Sequence, residues 1–417
     1  MMRVLIVSWE YPPVVVGGLG RHVHHLAEAV AGHGHEVIVL TRQPSGTDAA
    51  THPTTDTVVN GVRVIAVAED PPVFDFGADM MAWTLAMGHG FVRAGLAILR
   101  GESAPDVIHA HDWLVAHPAI ALAEYFDVPL VATLHATEAG RHSGWVAGDV
   151  NRQVHSVEWW LANAADSIIT CSSSMRDEVD TLFGPELAPV TVIQNGIDVG
   201  TWSYADRTRR IGPPELLFAG RLEYEKGVQD LLEALPRIRR AHPGTRLTVA
   251  GDGTQSDWLQ QLSREFRVAT AVDFAGRQDH AGMLALMHRC DAIVLPSRYE
   301  PFGIVALEAA ATGIPIVASN AGGLGEAVED GRTGLSFDPT DVAGLTDAVC
   351  AALDDPVGAQ RRARLGRDRL TEEFTWPVIG ARTATVYAAA GLRPARRLGR
   401  PEIPMRPMPD RDPTVEA

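Results

Sequence analysis

The feature that most constrains this chain is an alternation, run twice, of short β-branched runs with longer helical stretches. Val4-Leu5-Ile6-Val7 opens the first series, followed by a glycine loop and a helix predicted from about Arg21 to His33. Next come Glu36-Val37-Ile38-Val39-Leu40, residues 62–67, Val107-Ile108, residues 130–133 and residues 167–170. The pattern restarts at 215–218 and continues through 246–249, 272–274, 292–295 and 314–318. Runs of this kind read as parallel strands buried on both faces and joined by helical crossovers. The predicted fold class is α/β, with two doubly wound domains. A length of 417 residues agrees, since one ordinary core does not grow that large.

Asn195-Gly196-Ile197-Asp198 carries a turn signal between the two series, and the polar stretch to Gly212-Pro213-Pro214 reads as a linker. The expected division is therefore residues 1–197 and 198–375. A helix at about 376–390 is expected to pack back on the first domain. The tail, 391–417, is rich in Pro and Arg and is expected to be disordered, because it buries little apolar surface.

Bulk properties exclude several function classes. The net charge is −16, which repels phosphodiester backbones and argues against nucleic-acid partners. Cys171, Cys290 and Cys350 lie far apart without CxxC spacing, so no disulfide framework or zinc knuckle is expected and a reducing compartment fits. The longest apolar stretch, Met80 to Leu99, contains His89, Arg93 and three glycines. It reads as a buried or amphipathic helix, not a transmembrane segment. Val4–Val7 is too short for a leader's apolar core, and a cytoplasmic enzyme is the expectation.

Four segments carry the chemistry. Gly17-Gly18-Leu19-Gly20 lies between the first strand and helix, where backbone N–H groups and the helix start suit an anion. It is not a dinucleotide fingerprint, because Val23 stands where GxGxxG needs its last glycine. Gly220-Arg221 and Lys226-Gly227 follow the first strand of the second series; two cations there can neutralise a departing diphosphate. Glu300-Pro301-Phe302-Gly303-Ile304-Val305 follows a strand and opens a helix that continues to Glu308. The spacing of Glu300 and Glu308 predicts two carboxylates near one helical face. A glutamate among Val, Ala and Leu needs a partner or a task, and sugar or ribose hydroxyls suit it. His135 stands at a strand end, as does His109-Ala110-His111-Asp112-Trp113. The latter has no metal partner at helical spacing, so zinc is discounted there. Packing, capping and substrate contact stay open for it.

Taken together, these motifs resemble the family 4 glycosyltransferases of the GT-B fold, in which two Rossmann-like domains face each other across a cleft. The resemblance covers about residues 2–388 and rests on residues 12–20, His135, residues 195–198, Gly220-Arg221, Lys226-Gly227 and the two glutamates. Ser8-Trp9-Glu10-Tyr11-Pro12-Pro13, Arg21-His22-Val23-His24-His25, residues 80–89 and residues 135–145 further resemble the actinobacterial α-(1→4)-glucosyltransferases of glycogen and methylglucose polysaccharide synthesis.

That resemblance implies retaining transfer of glucose from UDP-glucose or ADP-glucose to an α-glucan or maltooligosaccharide acceptor, with no cofactor or catalytic metal. It assigns Arg221 and Lys226 to the diphosphate, Glu308 to the ribose, and Glu300 to the donor sugar. Gly17 and Gly18 meet phosphate, Phe302, Gly303, Ile304 and Val305 line the nucleotide sugar, and His135 bonds the sugar near its reacting carbon. Val15-Val16-Gly17-Gly18 replaces the Lys-Thr-Gly-Gly of many bacterial glycogen synthases, so that lysine contact is absent. Other acceptors (inositol, a lipid, a sugar phosphate) and a nucleotide-sugar epimerase of the same fold are the competing readings.

Overall fold

The computed structural model describes residues 1–69, 73–142, 144, 146, 148–184, 186–205 and 212–392. The tail expected to be disordered lies, from residue 393 onward, outside them. The strands of the first half are β1 (Arg3–Val7), β2 (Glu36–Arg42), β3 (Thr55–Val59), β4 (Val62–Val67), β5 (Val107–His111), β6 (Leu130–Leu134), β7 (Ser167–Thr170) and β8 (Val190–Val192). Those of the second are β9 (Glu215–Ala219), β10 (Arg246–Ala250), β11 (Val272–Gly276), β12 (Ala292–Leu295), β13 (Ile316–Ser319) and β14 (Leu335–Phe337). They form two sheets, ordered β3-β4-β2-β1-β5-β6-β7-β8 and β11-β10-β9-β12-β13-β14. Every pairing is parallel except β3 with β4.

The pleat explains why β1 is apolar throughout. Leu5 and Val7 pack on one face with Phe91, Leu99 and Val115. Val4 and Ile6 pack on the other with Val23, Leu26 and Tyr387. In the second sheet Leu217 and Ala219 face Ala306 and Leu307, while Leu216 and Phe218 face Val228, Leu231 and Leu235. A strand covered on both faces admits a polar side chain only where it finds a partner, and each large apolar residue so buried stabilises the fold by about 1.5–3 kcal/mol.

The helix Met80–Leu99 is packed in the first core through Trp83, Phe91, Gly95 and Leu99. No helix among the described residues is long and apolar enough to cross a membrane. The helix Trp376–Gly391 lies against the helix Gly18–Gly32 of the first half. Tyr387 reaches β5, with its hydroxyl 2.8 Å from His109 Nδ1. The two chain crossings run side by side, the Ile197 N–H donating to the Phe374 carbonyl at 2.7 Å.

Three strands differ from the sequence reading, which omits them. β3 is mostly exposed and is held only by an antiparallel hairpin turning at Asn60-Gly61, both with positive φ. β8 and β14 are short and give no periodicity to detect.

Candidate active site

In an open parallel sheet, ligands bind beyond the carboxyl ends where strand order reverses, because crossovers diverge there and leave a crevice. Those points are β1/β5 in the first sheet and β9/β12 in the second. Residues 8–20 follow β1, His111 ends β5, His135 follows β6, Gly220-Arg221 follow β9, and Pro296 to Glu308 follow β12.

The glycine loop is organised by a buried carboxylate. Glu10 is 3% exposed, and its Oε2 accepts the N–H groups of Val16 at 2.7 Å and Gly17 at 2.9 Å. These bonds start the helix at Gly18, earlier than the predicted Arg21. They also engage the Gly17 N–H, which leaves Gly18 as the glycine placed to meet an anion. No side chain caps that helix end, which leaves its dipole without a side-chain capping group.

In the second half, Lys226 Nζ lies 2.8 Å from Glu300 Oε2, and Ser297 Oγ stands 3.3 Å from the same oxygen. The loop bearing Lys226 is fastened to the loop after β12, since the Arg298 N–H donates to the Glu225 carbonyl at 2.7 Å. Arg298 holds that second loop through both oxygens of Asp230, at 2.9 and 2.6 Å. Arg221 points differently. It pairs with Glu225 at 3.0 Å and is largely exposed.

The two glutamates do not share a helical face as their spacing predicts. Gly303 has φ 97° and ψ 63° and breaks the chain direction, so the helix runs only from Ile304 to Thr312. Glu300 lies outside it. Glu308 is buried, and burial raises its pKa while the Arg21 charge opposes that rise. Arg21 Nη1 meets Glu308 Oε1 at 3.0 Å. Arg21 belongs to the helix Gly18–Gly32, so this pair joins the two halves across the cleft. A Cβ placed on Gly18 would stand 3.1 Å from Ile304 Cδ1. Two helix N-termini without side-chain caps, Gly18–Gly32 and Ile304–Thr312, therefore converge beside Arg21 and the Lys226–Glu300 pair. Phe302 is 1% exposed and packs near Phe374, so only its backbone can face a ligand.

Gly303 combines a left-handed backbone with a close neighbour, since an added Cβ would lie 2.7 Å from Leu324 Cδ1. Gly303→Ala is expected to lower stability by roughly 1–3 kcal/mol, read as a drop in Tm. An unshifted Tm would mean that this turn relaxes freely.

His135 is held by two contacts: its N–H donates to Asp112 Oδ1 at 2.7 Å, and its Nε2 lies 3.0 Å from His111 Nδ1. Burial, with the Arg141 charge, lowers its pKa from 6.5 to about 4, so the ring is neutral near pH 7. Asp112 is pushed up to about 6 by burial, against the His135 N–H bond. Its φ of 62° and ψ of 172° are unusual for a residue with a side chain, and such strain gathers at functional sites. Sequence reasoning left the 109–113 segment open between packing, capping and contact. His109 packs and bonds Tyr387, while Asp112 aligns the His135 backbone.

Glu158, in the helix Asp149–Ala164, accepts the Glu138 N–H at 2.8 Å and so props the segment beyond His135. Burial raises its pKa from 4.5 to about 8. A carboxyl with a raised folded-state pKa contributes stability below its unfolded pKa and loses it as pH rises through the folded value. Stability is thus expected to fall between pH 4.5 and about 8. Glu158→Gln, which keeps the acceptor oxygen, should flatten that fall by a few kcal/mol in denaturant titrations. An unchanged slope would place the group's ionisation elsewhere.

Glu10, Arg21, His22 and Arg298 were given no role by the sequence reading. His22 stands one turn beyond Gly18 on the same helix; a helix begun at Gly18 would have put both on one face.

Comparison with known proteins shows the family. Residues 16–201 match the model described as Glycosyltransferase Family 4, and residues 205–369 match Glycosyl transferases group 1. The chain belongs to the family 4 glycosyltransferases of the GT-B fold. It is 62% identical over 416 residues to a Mycobacterium tuberculosis protein named glycogen synthase, covering 98% of this chain and 100% of that one. It is 31% identical to the same organism's α-maltose-1-phosphate synthase, over 93% of this chain and 99% of that one. Sucrose-phosphate synthase from Thermosynechococcus elongatus shares the fold, with a TM-score of 0.79, 24% identity, and coverage of 93% and 99%.

Proposed function

We propose that this enzyme transfers glucose, with retention, from UDP-glucose or ADP-glucose to the growing end of an α-(1→4)-glucan. The observation that carries the reading is the convergence of two helix N-termini lacking side-chain caps with Lys226 and Arg21 in one cleft. That arrangement suits a diphosphate, whose negative charge grows as the nucleotide departs. Protein cations then take the part a divalent metal plays elsewhere. Lys226 and Arg221 neutralise the diphosphate, Arg221 by turning inward from Glu225. Gly18 offers its N–H to phosphate. Phe302, Gly303, Ile304 and Val305 present backbone to the nucleotide sugar.

Glu308 accepts ribose hydroxyls, and a bound ribose shares or replaces the Arg21 contact. Glu300 holds the donor sugar's hydroxyls and releases Lys226 toward phosphate. Neutral His135 bonds the sugar beside its reacting carbon, with the acceptor entering from the first half of the cleft. Holding both sugars in one site removes most of the entropic barrier to a two-substrate transfer. The glycogen synthase name of the 62% identical relative favours a glucan acceptor.

The test is a matrix of UDP-, ADP- and GDP-sugars against maltooligosaccharides, inositol phosphate and glucose 1-phosphate, with linkage analysis of products. α-(1→4) elongation from a UDP- or ADP-glucose donor is expected. Transfer to glucose 1-phosphate alone would replace the glucan by a sugar phosphate as acceptor.

A further inference from the structure

Three imidazoles from separate elements meet beside the cleft. His22 comes from the helix Gly18–Gly32, His111 ends β5, and His135 follows β6. One ring nitrogen of each lies within 4.8 Å of those of the other two. Ring centroids are 4.7 Å apart for His22 and His135, 5.3 Å for His111 and His135, and 5.7 Å for His22 and His111. His111 Nε2 has no hydrogen-bond partner, although His111 is 0% exposed, and His22, 6% exposed, interacts with the Asn195 side chain. A buried polar nitrogen left unpaired is costly, and one set among three imidazoles points to a ligand the cluster can share.

We propose that His22, His111 and His135 form a binding site for a zinc-class transition-metal cation, and that its occupancy switches the transferase off.

The donor set selects the ion. Neutral imidazole suits Zn²⁺, Ni²⁺ and Cu²⁺, whereas Mg²⁺ and Ca²⁺ require oxygen ligands. Zinc sits about 2.0–2.1 Å from imidazole nitrogen, so a tetrahedral site needs ligand nitrogens roughly 3.4 Å apart. Side-chain rotation closes the difference from the observed spacing. Binding exchanges the single His111–His135 hydrogen bond for three metal–nitrogen bonds. The Trp376 ring, 5.4 Å from His22, walls one side. Helical spacing in the sequence does not bring these three residues together, because they come from neighbouring strands and a facing helix. The inhibitory half of the proposal rests on the role proposed for His135; the binding half does not.

A second group, His24, His25 and Glu28, sits on one helix in a more exposed position, and the experiment must separate the two. Full-length protein stripped with EDTA is titrated with Zn²⁺ against a chelating dye, and with Co²⁺ while visible absorption is recorded. A single tight equivalent and the intense bands of tetrahedral cobalt are expected for the unchanged chain and for His24→Gln. His22→Gln and His111→Asn should each weaken Zn²⁺ affinity by about 100-fold or more, since loss of a direct ligand exceeds the 10–100-fold typical of outer-shell loss. Unchanged affinity in both variants, weak cobalt bands typical of six-coordinate oxygen ligation, or loss of binding in His24→Gln instead would overturn the site. Zn²⁺ should also stop glucosyl transfer by the unchanged chain, and chelator should restore it. Tight binding at the three histidines with full turnover would overturn the inhibitory role while leaving the metal site standing.

Discussion

Glu300→Gln is expected to lower turnover by about 100-fold or more while free nucleoside diphosphate binds with nearly unchanged affinity. Glu300 is not a helix cap, for Gly303 fills that position and no side chain caps the helix. Its carboxylate instead faces Lys226 at 2.8 Å, at the end of a loop pinned by Arg298. If that carboxylate holds the donor sugar, free nucleotide does not report its loss, because free nucleotide carries no sugar. Glu308→Gln should fail in the other way. Its buried oxygen meets Arg21 from the opposite half, and a ribose is common to nucleotide and intact donor, so both ligands should weaken together. Calorimetry with free nucleotide, turnover with each nucleotide sugar, and Tm for both variants separate these outcomes. A fully active Glu300→Gln enzyme would remove Glu300 from the donor site.

Lys226→Ala is expected to weaken nucleoside diphosphate binding by about 2 kcal/mol or more, roughly 30-fold. The Lys226 side chain is only 15% exposed, beside a Glu300 side chain 19% exposed, so solvent screens the pair less than surface charges. In the proposed site, removing it takes a cation from the diphosphate and leaves the Glu300 charge without its partner, and both changes oppose an incoming anion. Lys226→Arg should recover part of the loss, since it restores charge but not the compact reach of an ammonium. Arg221→Ala should have the smaller effect of the two, because Arg221 is largely exposed and already engaged by Glu225. Unchanged affinity in Lys226→Ala would take this lysine out of the diphosphate site.

The sequence by itself determined the two parallel sheets and much of what stands at their carboxyl ends. A strand covered on both faces is apolar at most positions, and that requirement is written in consecutive residues such as Val4 to Val7 and Ala292 to Leu295. Polar residues directly after such runs, among them His135, Arg221 and Glu300, necessarily lie at a sheet edge. The exposed hairpin strand β3 and the short β8 and β14 escaped the same logic because burial imposes no pattern on them. What only the tertiary structure decided is which of these residues meet. Glu10 binding the Gly17 N–H moved the helix start to Gly18. Gly303 turned Glu300 away from the helix that carries Glu308. Arg21 meets Glu308 across 287 residues of chain, and His22 meets His111 and His135 across a helix and two strands. Local periodicity is set by neighbours within a turn or a pleat. Contacts of that range depend on how two folded layers approach, and no window of consecutive residues contains that information.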